Sequence, residues 1–247
     1  MIILPILFFV TAILYSSVGF GGGSTYLALL LIWEIPYYII PVIALGCNII
    51  VVIGNSFNYI KAGNLNLKLL TPYLIGSVPM AFLGGTLEIE KQYFEILLFI
   101  VLLVSGFLLL FNFKSFDDSE KKYKEVNFIF SLSIGSIIGA LSGIVGIGGG
   151  IFLSPILFLL RAGLPRHIVT TSSLFILINS FSGILGQFTK SYILNDVWNY
   201  WYLLFFVFIG GQIGNYLNLK ILPTKLLALI TSCLVIFVAI RIGFKII

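Results

Sequence analysis

Charge is scarce in this chain. Of its 247 residues only 9% are Asp, Glu, Lys or Arg, against 60% hydrophobic, and the mean hydropathy is +1.14. Soluble domains carry about 25% charged residues, so the composition excludes a soluble globular fold and points to a membrane protein. No charged side chain stands at the centre of a long apolar stretch, which leaves no intramembrane ion pair and no obvious proton relay. The two cysteines, Cys47 and Cys233, lie within apolar stretches and read as small core residues, not as a disulfide. The single histidine, His167, sits beside Arg166 at a helix mouth and reads as a loop residue. No metal-ligand spacing is present, so neither a metal nor a cofactor is expected. Also missing are a Gly-x4-Gly-Lys-Ser/Thr loop, a His-Glu-x2-His pair, a Gly-x-Ser-x-Gly turn and an acidic pair at membrane depth. Their absence argues against nucleotide-driven work and against an intramembrane enzyme.

What remains is apolar sequence between sparse charges. Eight long windows lie between charged residues: 1–33, 35–60, 69–87, 96–113, 126–160, 168–189, 197–219 and 226–240. Most match the roughly 20 residues that cross a bilayer as a helix. The predicted class is therefore all-α: a polytopic protein of the cell membrane with about eight hydrophobic segments. No hydrophilic stretch exceeds about a dozen residues, so no separate soluble domain is expected. The start, 1–18, has no basic leader region and reads as mature membrane sequence. The net charge of +5 comes from loop Lys and Arg, which bears on orientation in the bilayer and not on nucleic acid.

Inside two of these windows stands the same motif: Gly19-Phe20-Gly21-Gly22-Gly23 and Gly146-Ile147-Gly148-Gly149-Gly150, 127 residues apart. Each Gly costs about 0.8–1 kcal/mol relative to Ala in a helix interior, so three in a row predict a break. Broken backbone at membrane depth is tolerated only where protein buries it or a wet cavity faces it. A second match, at an offset of 124, aligns Pro41 to Asn48 with Pro165 to Ser172 and Asn55-Ser56-Phe57 with Asn179-Ser180-Phe181. Two motifs in one order argue for duplication, with a first repeat over 1–113, a polar linker over 114–125 and a second repeat over 126–247.

The broken windows are long. Their 33 and 35 residues would make about 50 Å of helix against a hydrocarbon core of about 30 Å. Excess length and a central break both favour a re-entrant hairpin. Hairpins would place 10 of the 14 basic residues on one side, whereas eight full crossings would place 9 there, so charge barely separates the two topologies. Hairpins make the repeats inverted and full crossings make them parallel.

A helix that restarts after the glycines presents unpaired N–H groups and the positive end of its dipole, a setting that favours an anion. Gly21, Gly22, Gly23, Gly148, Gly149 and Gly150 are therefore candidate binding backbone, with Ser24 and Thr25 as caps of the first restarted helix. In the second half Ser154-Pro155 is the expected restart. In the next helix of each half, Asn48 and Asn55 share a face, as do Ser172 and Asn179, seven residues apart. With Thr171 and Ser173 they form polar stripes that offer hydrogen bonds to substrate oxygens or, equally, glue between helices. The alternative for the glycines is close helix packing alone. Gly106, with no counterpart in the other half, reads as a plain helix position.

These residues resemble the sulfite exporter TauE/SafE family, also called the toluene sulfonate uptake permease family. The resemblance rests on Gly19 to Gly23, Gly143 to Gly150 with Pro155, Leu164 to Ser172, and Lys61-Ala62-Gly63-Asn64. It spans nearly the whole chain, and the chain departs from the family pattern where Ala44 to Asn48 replaces a Thr-Ser pair. The resemblance implies a secondary transporter of small sulfur-containing anions such as sulfite, sulfoacetate or other sulfonates. An anion-selective channel is the first rival, and a structural scaffold would leave the matched stripes unexplained. The expected partners are the lipid bilayer, a small-anion substrate, a coupling ion such as proton or sodium, and another copy of the chain. No nucleic acid is expected.

Overall fold

The computed structural model describes residues 3–111, 124, 126–190, 196–218 and the positions 233, 236, 237, 239, 240, 243 and 244. The expected linker, apart from Lys124, and most of the final window lie outside the described residues. The described chain is helical: α1 (Ile3–Ser16), α2 (Gly23–Ile32), α3 (Ile40–Lys61), α4 (Leu67–Thr86), α5 (Lys91–Phe111), α6 (Phe128–Val145), α7 (Gly150–Leu159), α8 (Pro165–Gln187), a single 3-10 turn (Trp198–Tyr200) and α9 (Trp201–Asn218). Among these α3, α4, α6 and α8 are each long and apolar enough to cross a membrane.

Local chemistry sets the helix starts. Pro41 and Pro165, matched in the sequence, both fall in the first turns of their helices, where a missing N–H costs nothing. Asn66 caps α4 by accepting from Leu69 N at 3.2 Å, and Asn127 caps α6 by accepting from Ile129 N at 2.9 Å.

Small residues then set the packing. Gly135, Gly139 and Gly143 lie on one face of α6, and a Cβ on each would strike the carbonyls of Tyr73, Ser77 and Ala81 in turn. Both series ascend by four, so α4 and α6 run parallel with their backbones in contact, as small-residue faces allow in a membrane. Gly210 and Gly214 of α9 meet the carbonyls of Phe9 and Ile13 in the same way, making α1 and α9 parallel. In contrast α3 and α8 are antiparallel: Ser56 Oγ lies 3.1 Å from Ser173 Oγ, while Gly183 approaches Leu45.

The surface is apolar, and polar side chains are buried within the apolar core. Phe57, Ile129, Leu185 and Phe205 are more than half exposed, while Asn48, Asn55, Thr171, Ser172 and Asn179 are fully buried. That inversion of the soluble pattern fits a lipid-facing exterior. All three tryptophans, Trp33, Trp198 and Trp201, are exposed at one end of the bundle, where an interfacial belt would stand. That end also carries Glu34, Glu88, Glu90, Glu95 and Asp196 with Lys91 and Lys190. The other end holds Lys61, Lys68, Lys124, Arg161 and Arg166, with no acid among its described residues.

Candidate functional site

Both glycine segments reverse the chain. In the second, α6 and α8 run parallel, since Gln187 Nε2 donates to Gly143 O at 2.9 Å and Gly149 sits between Ile138 and Phe175, so α7 must return between them. The mouth closes where Lys124 N, ahead of α6, donates to Arg161 O, just past α7, at 3.1 Å. In the first, Gly22 comes back beside Thr11, and the Tyr26 ring stacks on Phe8 with centroids 4.8 Å apart. The α1–α2 hairpin opens at the tryptophan end and the α6–α7 hairpin at the basic end.

Much of the backbone of one hairpin recurs in the other at the offset of 127, although Gly148 (φ 81°) is left-handed where Gly21 is not. Gly19 and Gly146 have φ of 85° and 89°, and Gly22 and Gly149 have 89° and 80°, all in the left-handed region that glycine alone enters freely. Gly22 O accepts from Thr25 and Tyr26, and Gly149 O from Phe152 and Leu153. At the far ends Glu34 (φ 58°) and Arg161 (φ 52°) occupy matched left-handed positions. There Ile35 N donates to Leu30 O and Ala162 N to Leu157 O.

The two tips meet at Asn48, in the middle of α3. Its Nδ2 donates to Ile147 O at 3.0 Å. A Cβ on Gly21, Gly23 or Gly148 would run into the Asn48 side chain, and one on Gly23 would also lie 2.7 Å from Ile147 O. Here glycine is required for close approach, in addition to the dihedral demand seen at Gly22 and Gly149, and Gly148 (φ 81°) meets both. Helices α2 and α7 therefore begin beside one another, each with first-turn N–H groups that its own helix cannot satisfy. Ser180 also enters this junction, 3.0 Å from where a Cβ on Gly148 would stand.

The other sequence candidates divide. Ser24 and Thr25 do not cap α2: the N-cap is Gly22, without a side-chain cap. Their hydroxyls turn back to Tyr15, whose Oη lies 2.7 Å from Thr25 Oγ1 and 3.2 Å from Ser24 Oγ. Nor does Ser154-Pro155 restart the second helix, because α7 begins at Gly150 and Pro155 falls inside it. Asn55 donates to Ser16 O at 3.0 Å and fastens the end of α1. Ser173 is taken by Ser56, and Asn179 Nδ2 donates to Phe175 O at 2.9 Å in its own helix. Gly150 packs against Ile176 and Ser172 O. Thr171 Oγ1, Ser172 Oγ, Ser180 Oγ and the amide oxygens of Asn48, Asn55 and Asn179 are buried without a protein partner. Leaving such an atom unpaired costs about 1–3 kcal/mol, so these are the groups on α3 and α8 that can still take a hydrogen bond.

Tyr15, Ser180 and Gln187 were not singled out from sequence. Ser180 was legible, since it stands in the Asn-Ser-Phe match with Ser56. Gln187 had no signal, because its role is the long-range bond to Gly143. It also accepts at Oε1 from Lys190 Nζ at 3.1 Å, and Lys190 donates to Leu87 O at 2.7 Å. Burial lowers the Lys190 pKa, opposed by nearby Glu88.

Two half-helices that begin side by side within a lipid-facing bundle define a polytopic membrane protein of the broken-helix kind. Its relatives are named as transporters. The chain belongs to the sulfite exporter TauE/SafE family, whose sequence profile matches residues 4–242. It is 27% identical over 238 residues to the "Probable membrane transporter protein y4hK" of Sinorhizobium fredii, covering 94% of this chain and 93% of that one. It is 29% identical over 259 residues to the "Probable membrane transporter protein MJ0441" of Methanocaldococcus jannaschii, covering 95% and 93%. No solved structure matches the chain significantly. The protein is a multi-pass integral membrane transporter.

Proposed function

We propose that this transporter carries small anions, sulfur oxyanions such as sulfite or sulfonates among them, by alternating access about the junction of the two hairpins. The observation that carries this reading is the meeting of the α2 and α7 N-termini at Asn48, where two positive helix ends converge among uncharged, buried polar side chains. The ligand would take N–H groups at Gly21 to Gly23 and Gly148 to Gly150 and hydrogen bonds from Asn48 and Ser180. Thr171, Ser172 and Asn179 supply further polar atoms on α8, and Ser24, Thr25, Asn55 and Ser173 hold the frame. Matched backbone and antiparallel α3 and α8 support a duplicated, inverted repeat over 1–113 and 126–247 that rocks around this point. The excess of Lys and Arg favours the cytoplasm for the end that holds Lys61, Lys68 and Arg166.

Reconstituted protein tests this reading against sulfite, sulfonates, carboxylates and chloride, with and without pH and sodium gradients. Saturable, trans-stimulated exchange in which anions compete and organic cations do not is the expected result. Each helix end contributes about 0.3–2 kcal/mol, so affinity should fall in the micromolar to millimolar range. Flux that never saturates would turn the assignment to a channel, and tight binding of a cation would overturn it.

A further inference from the structure

At the basic end lies a cavity of about 380 Å³, away from the hairpin tips, between the starts of α4 and α6. Its wall includes Asn66, Lys68, Tyr73, Lys124, Ser131 and Ala162. Because α4 and α6 are parallel, both direct their N-termini, and hence unpaired N–H groups and positive dipole ends, toward this space. Two ammonium groups add to that field. Among the described residues the one salt bridge joins Lys91 to Glu95, at the opposite end, and no described acid pairs with either lysine.

The neutral donors agree with the charge. Tyr73 is 1% exposed, and its buried hydroxyl interacts with Ser131 but makes no hydrogen bond of full geometry, while both residues line the cavity. Asn66 spends its amide oxygen on Leu69 N, leaving its NH2 to donate. Ser131 is buried on the facing helix. Lys124 is held in place by its backbone bond to Arg161, the residue that closes the α6–α7 hairpin. Among the described residues the polar side chains on this wall can all donate a hydrogen bond, and two carry positive charge.

We propose that this cavity is a second anion site, built for a phosphate- or sulfate-like oxyanion group and separate from the junction at Asn48. The group belongs either to a soluble oxyanion or to the head of an anionic phospholipid. Lys68 and Lys124 supply charge, Tyr73 and Ser131 supply hydroxyl donors, and the two helix ends supply N–H groups. An occupant would tie α4 to the mouth of the α6–α7 hairpin.

The test uses the full chain in nanodiscs of phosphatidylcholine alone or with phosphatidylglycerol. Thermal stabilisation by sulfate and inorganic phosphate is measured at constant ionic strength, and native mass spectrometry counts retained lipid. A soluble ligand predicts saturable stabilisation in pure phosphatidylcholine. A lipid ligand predicts selective retention of phosphatidylglycerol and a sulfate response only where that lipid is absent. In either case the K68Q/K124Q double variant should weaken the interaction about tenfold or more, and Tyr73→Phe about fivefold. Asn48→Ala should leave this response intact, which separates the site from the junction. Equal behaviour of parent, K68Q/K124Q and Tyr73→Phe in both readouts would overturn the proposal, as would loss of the response in Asn48→Ala alone.

Discussion

The two hairpins share their left-handed glycine and end positions and the start of the returning helix at an offset of 127, although Gly148 is left-handed where Gly21 is not, and almost none of their side chains correspond. Left-handed glycines stand at 19 and 22 and again at 146 and 149, and left-handed end residues stand at Glu34 and Arg161. Between these fixed points the first hairpin is stapled by hydroxyls, Tyr15 to Ser24 and Thr25. The matching positions of the second are Ser142, Ile151 and Phe152, and there apolar packing does the work, with Gly149 wedged between Ile138 and Phe175. The reversal is thus specified by dihedral angles and close approach, while its fastening differs between the two halves. Even the end residues fit this division: one backbone conformation carries an acid at the tryptophan end and a base at the basic end.

If the dihedral positions are the shared element, breaking them should have the largest effect and should do so in both halves. Gly22→Leu forces a left-handed conformation that costs about 1–2 kcal/mol and pushes a Cβ to 3.0 Å from the Tyr26 ring. Gly149→Leu adds contacts of 2.7 Å with Ile138 and 2.9 Å with Phe175, so it should also lower the yield of folded protein. Transport in liposomes should fall to background in both. Parental rates in a well-inserted variant would show the motifs to be packing devices only.

A smaller effect should separate the halves. Asn48 touches both tips, whereas Ser172, its counterpart at the offset of 124, has a hydroxyl with no protein partner. Asn48→Ala should therefore cut transport about tenfold or more, through the lost bond to Ile147 O and the space left between the loops. Ser172→Ala should cost less, and what it costs should appear in apparent affinity. Equal losses would mean that the two tips are used alike.

The stapling difference should appear in stability more than in transport. Tyr15→Phe strips two buried hydroxyls of their partner at a cost of about 1–3 kcal/mol, whereas Ser142→Ala removes a hydroxyl that has none and should change little. Thermal midpoints in detergent would read this contrast. A Tyr15→Phe variant as stable as the parent would mean that packing holds the first hairpin as well.

Much of this fold was legible because glycine and proline act locally. The breaks at Gly21 to Gly23 and Gly148 to Gly150 and the starts at Pro41 and Pro165 follow from single-residue backbone chemistry. The apolar windows follow from the bilayer. The parallel pairing of α4 with α6 was not legible, although Gly135, Gly139 and Gly143 display the spacing, because a small-residue face does not name its partner. The convergence on Asn48 was half legible. Its polarity and stripe were visible, but that one side chain serves both tips depends on the antiparallel crossing of α3 and α8.

The smallest expected effect sharpens the comparison from the other side, by asking whether a glycine outside the hairpins matters. From sequence, Gly106 looks like a plain helix position, but a Cβ there would come within 2.6 Å of the Ile236 side chain, so Gly106→Ala is not neutral ground. Gly46 is the better control. It lies in α3 two residues before Asn48, its Cβ would meet Leu204 at 3.5 Å, an ordinary contact, and it borders an apolar cavity of about 240 Å³. Replacing Gly by Ala in a helix interior gains about 0.8–1 kcal/mol where space allows. Gly46→Ala should thus leave uptake at the parental rate and raise the thermal midpoint slightly. A large loss of transport from this one methyl group would show that α3 must flex beside Asn48, and the requirement for glycine would then extend beyond the two tips into the helix that joins them.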